Sequence, residues 1–264
     1  MAYQTGNIKY IGSFKSIRNY QNANDPKIYA GEKGGASREL IMNNPAFART
    51  RENMSEFKGC GMAVKAIRQG LICIVQEHTD TRFTGRLVSL VKMINLKDTE
   101  GVRGFRAITF SRNRPLLKTV TFHEKKKIDF DLRKCIRTSH PESRAEATMT
   151  VTGLNPNPQT FPGNADAYRM FNLISIISDY GYNGEGKKYE PLSSLNSMNV
   201  LVYSDYTPVN TPLTTAVTAA FPEGTLLSES ETVLQCIGIE FYYKSGKEGY
   251  RRYPGGSMMM YDVF

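Results

Sequence analysis

Apolar and polar residues change their period three times along this chain, and the changes mark its parts. Ile8, Tyr10, Gly12 and Phe14 alternate with Lys9, Ile11, Ser13 and Lys15, a period of two that predicts an extended strand. The run from Tyr20 to Pro26 carries turn chemistry, and Lys27 to Ala30 is expected to return as a second strand. Residues 1–36 therefore read as a β-hairpin or arm ending at Gly34-Gly35, where the backbone needs glycine's freedom. From residue 37 the spacing becomes helical. Asn44-Pro45 is a helix start, with Asn as N-cap and Pro in the first turn. Phe47, Thr50, Met54 and Phe57 recur along one face as an apolar stripe. Gly59-Cys60-Gly61 is expected to break or bend this helix. A second helix carries Val64, Ile67, Leu71, Ile74 and Val75. A third, capped by Asp80 or Thr81, carries Phe83, Leu87, Leu90, Val91 and Ile94. Three helices with short connections predict a small helical layer.

After a loop from Lys97 to Gly104 the period returns to two. Strands are expected over Phe105–Ser111, Lys118–Phe122 and Ile128–Arg133. The remainder reads as short apolar alternations separated by Gly, Pro and Asn turns, at 145–151, 168–178, 198–204, 233–243 and 258–263, the mark of a sandwich. A hairpin is expected at 245–249, and the Thr- and Pro-rich stretch 205–232 reads as surface loop. The expected fold class is α+β: an N-terminal β-arm or hairpin, a three-helix layer, then an antiparallel β-sandwich-like C-terminal half. The expected parts are 1–36, 37–127 and 128–264.

Charge sharpens this picture. The net charge is +9, yet residues 1–144 hold 27 Lys+Arg against 13 Asp+Glu, and residues 145–264 hold 7 against 12. A basic first half suits either an anionic partner or head-to-tail attraction between copies. No charged start followed by an apolar run opens the chain, and no apolar stretch approaches membrane length, so a cytoplasmic protein without membrane insertion is expected. Cys60, Cys73, Cys135 and Cys236 are widely spaced with no CxxC pair and read as small hydrophobes.

The stretch Glu32-Lys33-Gly34-Gly35, followed by Asn44-Pro45-Ala46-Phe47-Ala48-Arg49-Thr50-Arg51-Glu52-Asn53 and Glu56-Phe57, resembles a family of uncharacterised Bacteroidota proteins. Its members share an arm ending in an EKGG-like turn, a PAFxRTREN-xx-EF helix, two further helices and a β-rich tail. The likeness covers about residues 30–58 in sequence and only the architecture beyond. Lys58-Gly59-Cys60 departs from the family, where a plain glycine follows the EF pair. The resemblance implies layout and lineage, and no activity.

Candidate chemistry is sparse. His78, His123 and His140 each lack a nucleophile setting, and neither GxSxG nor HExxH occurs. No short-spaced Cys/His cluster suits zinc. Gly181 to Lys188 has phosphate-loop composition without the GxxxxGK[ST] spacing and reads as a hairpin loop, and Lys33-Gly34-Gly35 fails likewise. No catalytic, cofactor or metal residues are therefore assigned, and no cofactor or small-molecule substrate is expected. The notable residues are cations: Lys33, Arg38, Arg49, Arg51, Lys58, Lys65, Arg68, Lys125, Lys126 and Lys127, an assembly interface or an anion-binding face. Arg103, Arg106, Arg112 and Arg114 add charge nearby. The reading is a non-enzymatic subunit that self-assembles into a filament, tube or shell through its arm and complementary charged faces. The alternative is a basic nucleic-acid-binding protein using the helical half; a phage-derived tail or capsid component would share the assembly physics.

Overall fold

A computed structural model describes residues 2–23, 25–126, 130–155, 164–246 and 249–264. Lys127, the start of the strand expected at 128–133, and the tip Lys247-Glu248 of the last hairpin lie outside them. The chain divides into two units, 1–51 and 52–264. Its class is α+β, with strands first, helices next and antiparallel sheet through the C-terminal half.

The first unit is an antiparallel sheet of β1 (Ala2–Tyr3), β2 (Gly12–Phe14), β3 (Ile17–Gln21) and β4 (Ile28–Glu32), in the order β1-β4-β3-β2. The turn between β3 and β4 lies where Asn22 to Pro26 places it; Asp25 accepts from the Lys27 amide and the Tyr29 hydroxyl. Only the last part of the expected first strand is formed. Gln4 explains the loss: its amide accepts from the Tyr10 N–H and donates to the Tyr10 carbonyl, so both groups are taken from any ladder. Helix α1 (Arg38–Asn43) follows, N-capped by Ser37, and Asn44 caps a 3₁₀ turn, Pro45–Phe47.

Helix α2 (Ala48–Gly70) runs unbroken through Gly59-Cys60-Gly61, against expectation. Glycine is required at 59 by packing: a Cβ there would stand 2.5 Å from the ring of Tyr189. The helix ends instead at Leu71, and α3 (Ile72–His78) and α4 (Phe83–Leu96) follow. The expected apolar stripe is also corrected. Met54 and Phe57 are exposed, while Glu56, Cys60, Ala63, Val64 and Ile67 face inward.

Two long strands organise the second unit. β7 (Ala167–Ser178) pairs with β13 (Glu231–Lys244) along its whole length. They are flanked by β10 (Asn199–Tyr203), β11 (Thr207–Pro208), β14 (Tyr250–Arg252) and β15 (Ser257–Val263). On one face Phe171, Leu173, Cys236 and Met260 pack with Val64, Ile67, Leu71, Ile74 and Val91 of the helices. On the other, Tyr168, Met170, Ile237 and Ile239 meet a three-stranded sheet of β5 (Ile136–Ser139), β6 (Glu146–Leu154) and β12 (Leu213–Ala220) through Met149, Val151 and Val217. Helices and sandwich thus share the same central sheet. A separate hairpin, β8 (Tyr180–Asn183) and β9 (Lys188–Pro191), occupies the glycine-rich stretch, as expected.

Three further expectations fail for local reasons. Residues 105–122 form no named strand; Ile108 bridges only Tyr180, and Pro115 opens the short helix α5 (Arg114–Leu117). Residues 130–134 are helix α6 (Phe130–Lys134), which brings Leu132 and Cys135, three apart, against one core cluster. The stretch 205–232 contains β12, whose alternation is muted because alanines and threonines fill it: Val217 and Ala219 are buried, Thr218 and Ala220 exposed. No helix among the described residues is long and apolar enough to cross a membrane.

The two glycines of Gly59-Cys60-Gly61 predict opposite effects. Gly59→Ala forces a Cβ into the Tyr189 ring and should cost about 1–3 kcal/mol. Gly61→Ala, in an exposed helix interior with nothing near its Cβ position, should gain about 0.5–1 kcal/mol. Urea unfolding of both variants measures this; a stabilising Gly59→Ala would contradict the packing described.

Candidate functional site

The expected cations divide between the two units, with Lys127 outside the described residues. Within the first unit, Lys33 is exposed beyond β4, Arg38 opens α1, and Arg49 is exposed on α2. Arg51 is diverted to structure: its guanidinium donates to the carbonyls of Ile41 (2.7 Å) and Asn44 (2.9 Å), holding the end of α1 to the start of α2. Within the second unit, Lys58, Lys65 and Arg68 share one exposed face of α2, as their spacing of seven and three requires. Exposed Met54, Phe57 and Ile72 accompany them. Lys125 and Lys126 are exposed, their amides donating to His123 Nδ1.

Strand register sorts the side chains of the first unit's sheet onto two unlike faces, because residues opposite one another share a face. Phe14 opposes Ile17 and Ile17 opposes Glu32, while Asn19 opposes Ala30 and Gly12. That face carries Phe14 (63% exposed) and Ile17 (45%). The opposite face carries Tyr3, Tyr29 and Tyr20 abreast, with Arg18, Ser13 and Gly31 in the adjoining row. Tyr29 is held by its bond to Asp25, which lowers the Asp25 carboxyl and raises the Tyr29 phenol. The loop before β2 adds Ile8 (91% exposed), Tyr10 and Ile11. Among the described residues of this unit only Ile28 and Asn19 are buried.

The second unit encloses two charge clusters. Glu56, turned inward from α2, receives Lys92 Nζ, the Gly104 amide at 2.8 Å and Arg106 Nε at 3.1 Å. Burial would raise this carboxyl; Lys92, the Gly104 amide and Arg106 outweigh it and hold it below the usual range. Glu240, 1% exposed in the middle of β13, faces the helices and takes the Tyr242 hydroxyl (2.7 Å), the Tyr203 hydroxyl (3.3 Å), Arg252 (2.5 Å) and His78 Nε2 (3.2 Å). Burial, reinforced by the Glu240 carboxylate, raises both phenols. Arg252 also reaches His78 Nε2 at 2.8 Å and pairs with Glu77. A proton on Nε2 serves Glu240, and a bare Nε2 serves Arg252. Beside this cluster Arg169 lies between the rings of Tyr203 (4.3 Å) and Tyr206 (4.6 Å).

Each carboxylate is saturated by donors and sits out of reach of solvent. Chemically these are clamps: Glu56 ties the 104–106 loop and α4 to α2, and Glu240 ties α3, β10 and β14 to β13. Neither stood out as a site residue in sequence. A signal for Glu240 exists, an ionisable group inside the apolar run Ile237-Gly238-Ile239-Glu240-Phe241. No group of three or more His, Cys, Asp or Glu among the described residues is placed to hold a metal ion. Burial pushes the Cys60 thiol up to about 11, so it is a packed hydrophobe. No family model, no curated protein and no solved structure matches the chain.

Glu56→Gln leaves Lys92 and Arg106 facing a neutral amide and should cost about 3–5 kcal/mol at neutral pH. The folded carboxyl lies below its unfolded value of 4.5, so its contribution is full above that value and lost as the pH falls through the folded one. Chemical denaturation of both proteins across acidic pH should show their difference shrinking downwards; a difference independent of pH would contradict the assignment.

Proposed function

We propose that this protein is a non-enzymatic structural subunit that associates with copies of itself into a filament, tube or shell, using its N-terminal unit as the contact. One observation carries the reading. A sheet with strands of two to five residues exposes Phe14, Ile17, Ile8, Tyr10 and Ile11 and buries only Ile28 and Asn19 among its described residues. Sheets this small gain their stability from a covered apolar face.

Charge selects another copy as the cover. The N-terminal unit holds 8 Lys+Arg against 3 Asp+Glu, a net of +5, whereas residues 145–264 hold 7 against 12, a net of −5. Glu146, Asp205, Glu223 and Glu229 of that acidic half are exposed. A basic unit on one copy meeting the acidic half of the next is a head-to-tail contact, which closes into rings or continues as filaments. The outer edge of β2 is free for strand addition within the same contact. The enclosed and donor-saturated carboxylates support a structural role over a catalytic one.

The test is sedimentation velocity with negative-stain microscopy on the full chain and on a Phe14→Asp/Ile17→Asp double variant. Assemblies that grow with concentration, and a monomeric variant whose main unfolding transition is unchanged, are expected. A wild-type chain that stays monomeric at the highest concentration reached would overturn the proposal.

A further inference from the structure

The tyrosine face is chemically distinct from the apolar face assigned to self-association. β1, β4 and β3 set Tyr3, Tyr29 and Tyr20 side by side on one surface. The Tyr20 and Tyr29 rings lie 6.0 Å apart at 31° to one another. Cations stand over the rings: the Arg18 guanidinium is 5.9 Å from the centre of Tyr20, and Lys27 Nζ is 5.2 Å from that of Tyr3. In the adjoining row Gly31 leaves open space where a side chain would stand. The Asp25 carboxylate, the acid nearest these rings in the β3–β4 turn, is already engaged by the Tyr29 hydroxyl and the Lys27 amide.

Flat rings carried on a small sheet, with Arg18 beside Tyr20 and Lys27 beside Tyr3, suit an anionic chain that presents flat rings of its own. Unpaired nucleobases stack on tyrosine, and Arg and Lys take the intervening phosphates. A duplex fits poorly, because its bases already stack on each other. A lipid surface would call for aliphatic residues on this face, whose two rows hold tyrosines, Arg18, Ser13 and Gly31. The hydrogen bond that fixes Tyr29 also orders its ring in advance, which reduces the ordering cost of binding.

We infer that the Tyr3–Tyr29–Tyr20 face, with Arg18 and Lys27, binds single-stranded nucleic acid by stacking two or three bases. The inference uses a different face from the self-association reading and stands or falls separately. Phosphate contacts make the binding salt-dependent, and the stacking makes it selective for unpaired strands.

The test is fluorescence anisotropy of the full chain with fluorescein-labelled oligothymidylate and oligouridylate of about 12 nucleotides, within the range of known single-strand sites. A duplex of equal length and a salt series complete it. Single strands should bind more tightly than duplex. Tyr3→Ala and Tyr20→Ala should each weaken binding about tenfold, whereas Tyr3→Phe retains it because the ring remains. Val102→Ala, an exposed position in the second unit, should leave it unchanged. Tyr3 is half-exposed, so its replacement tests the ring without endangering the fold. No binding at low salt would overturn the inference. Equal binding of duplex and single strand, indifferent to the tyrosines, would also overturn it by reducing the contact to charge alone. A wild-type chain that assembles but binds none of the oligonucleotides would sink this inference and spare the proposed function.

Discussion

The antiparallel pairing of β7 with β13, from Ala167 opposite Tyr242 to Ser178 opposite Glu231, is the constraint on which the second unit depends. Both strands are buried on both faces through almost their whole length. A sheet in that position needs an apolar cover on each side, and the chain supplies two unlike ones. α2, α3 and α4 lie on one face, and β5, β6 and β12 on the other. Several polar groups caught in this centre make cross-ties, while the Thr232 hydroxyl and Gln235 Oε1 take no partner among the described residues. Asn172 reaches the carbonyls of Ala147 and Val217 in the outer sheet and accepts from Gln235, and Glu240 gathers His78, Tyr203, Tyr242 and Arg252. Unpaired, each would cost on the order of 1–3 kcal/mol or more, so they fix the registration of the layers as well as filling them.

The first unit obeys the opposite arithmetic. Its strands are short, its turns well made and its faces open. Residues that would form a core in a larger sheet, Phe14 and Ile17 above all, stay 63% and 45% exposed, with Lys15 Nζ 5.7 Å from the centre of the Phe14 ring. Its local chemistry sets the backbone: the Asp25 turn, the Gln4 clasp on Tyr10 and the tight Lys15-Ser16 connection with Lys15 at φ 50°. On the proposed reading such a unit is a preformed adhesive surface, with one face for apolar contact and the other for flat, anionic partners. The +5 charge of this unit favours both roles.

Sequence patterns revealed the elements whose surroundings are uniform. β7 and β13 read as apolar runs because both their faces are covered, and Asn44-Pro45 and the turn at Asn22–Pro26 carry their own chemistry. Elements whose form depends on a distant neighbour were opaque. Gly59 is a packing site for Tyr189, 130 residues away in sequence terms and invisible to any local window. Residues 105–122 alternate like a strand yet have only Tyr180 to bridge. Among the candidate residues, the break expected at Gly59-Cys60-Gly61 set Lys58 apart from Lys65 and Arg68, which the unbroken α2 joins on one face, and Arg51 was absorbed by two carbonyls ten and seven residues back. The tyrosine row was not legible, because a turn centred on the span Asn22–Pro26 would set Tyr20 opposite Ile28, one residue short of its partner Tyr29.

If another copy of the chain completes the N-terminal sheet, amide hydrogen exchange measured at two protein concentrations will report it. Residues Ile17–Gln21 and Ile28–Glu32 should exchange quickly when dilute and gain protection as concentration rises, while the β7 and β13 amides stay protected throughout. Equal protection of the N-terminal strands in the dilute monomer would contradict the claim.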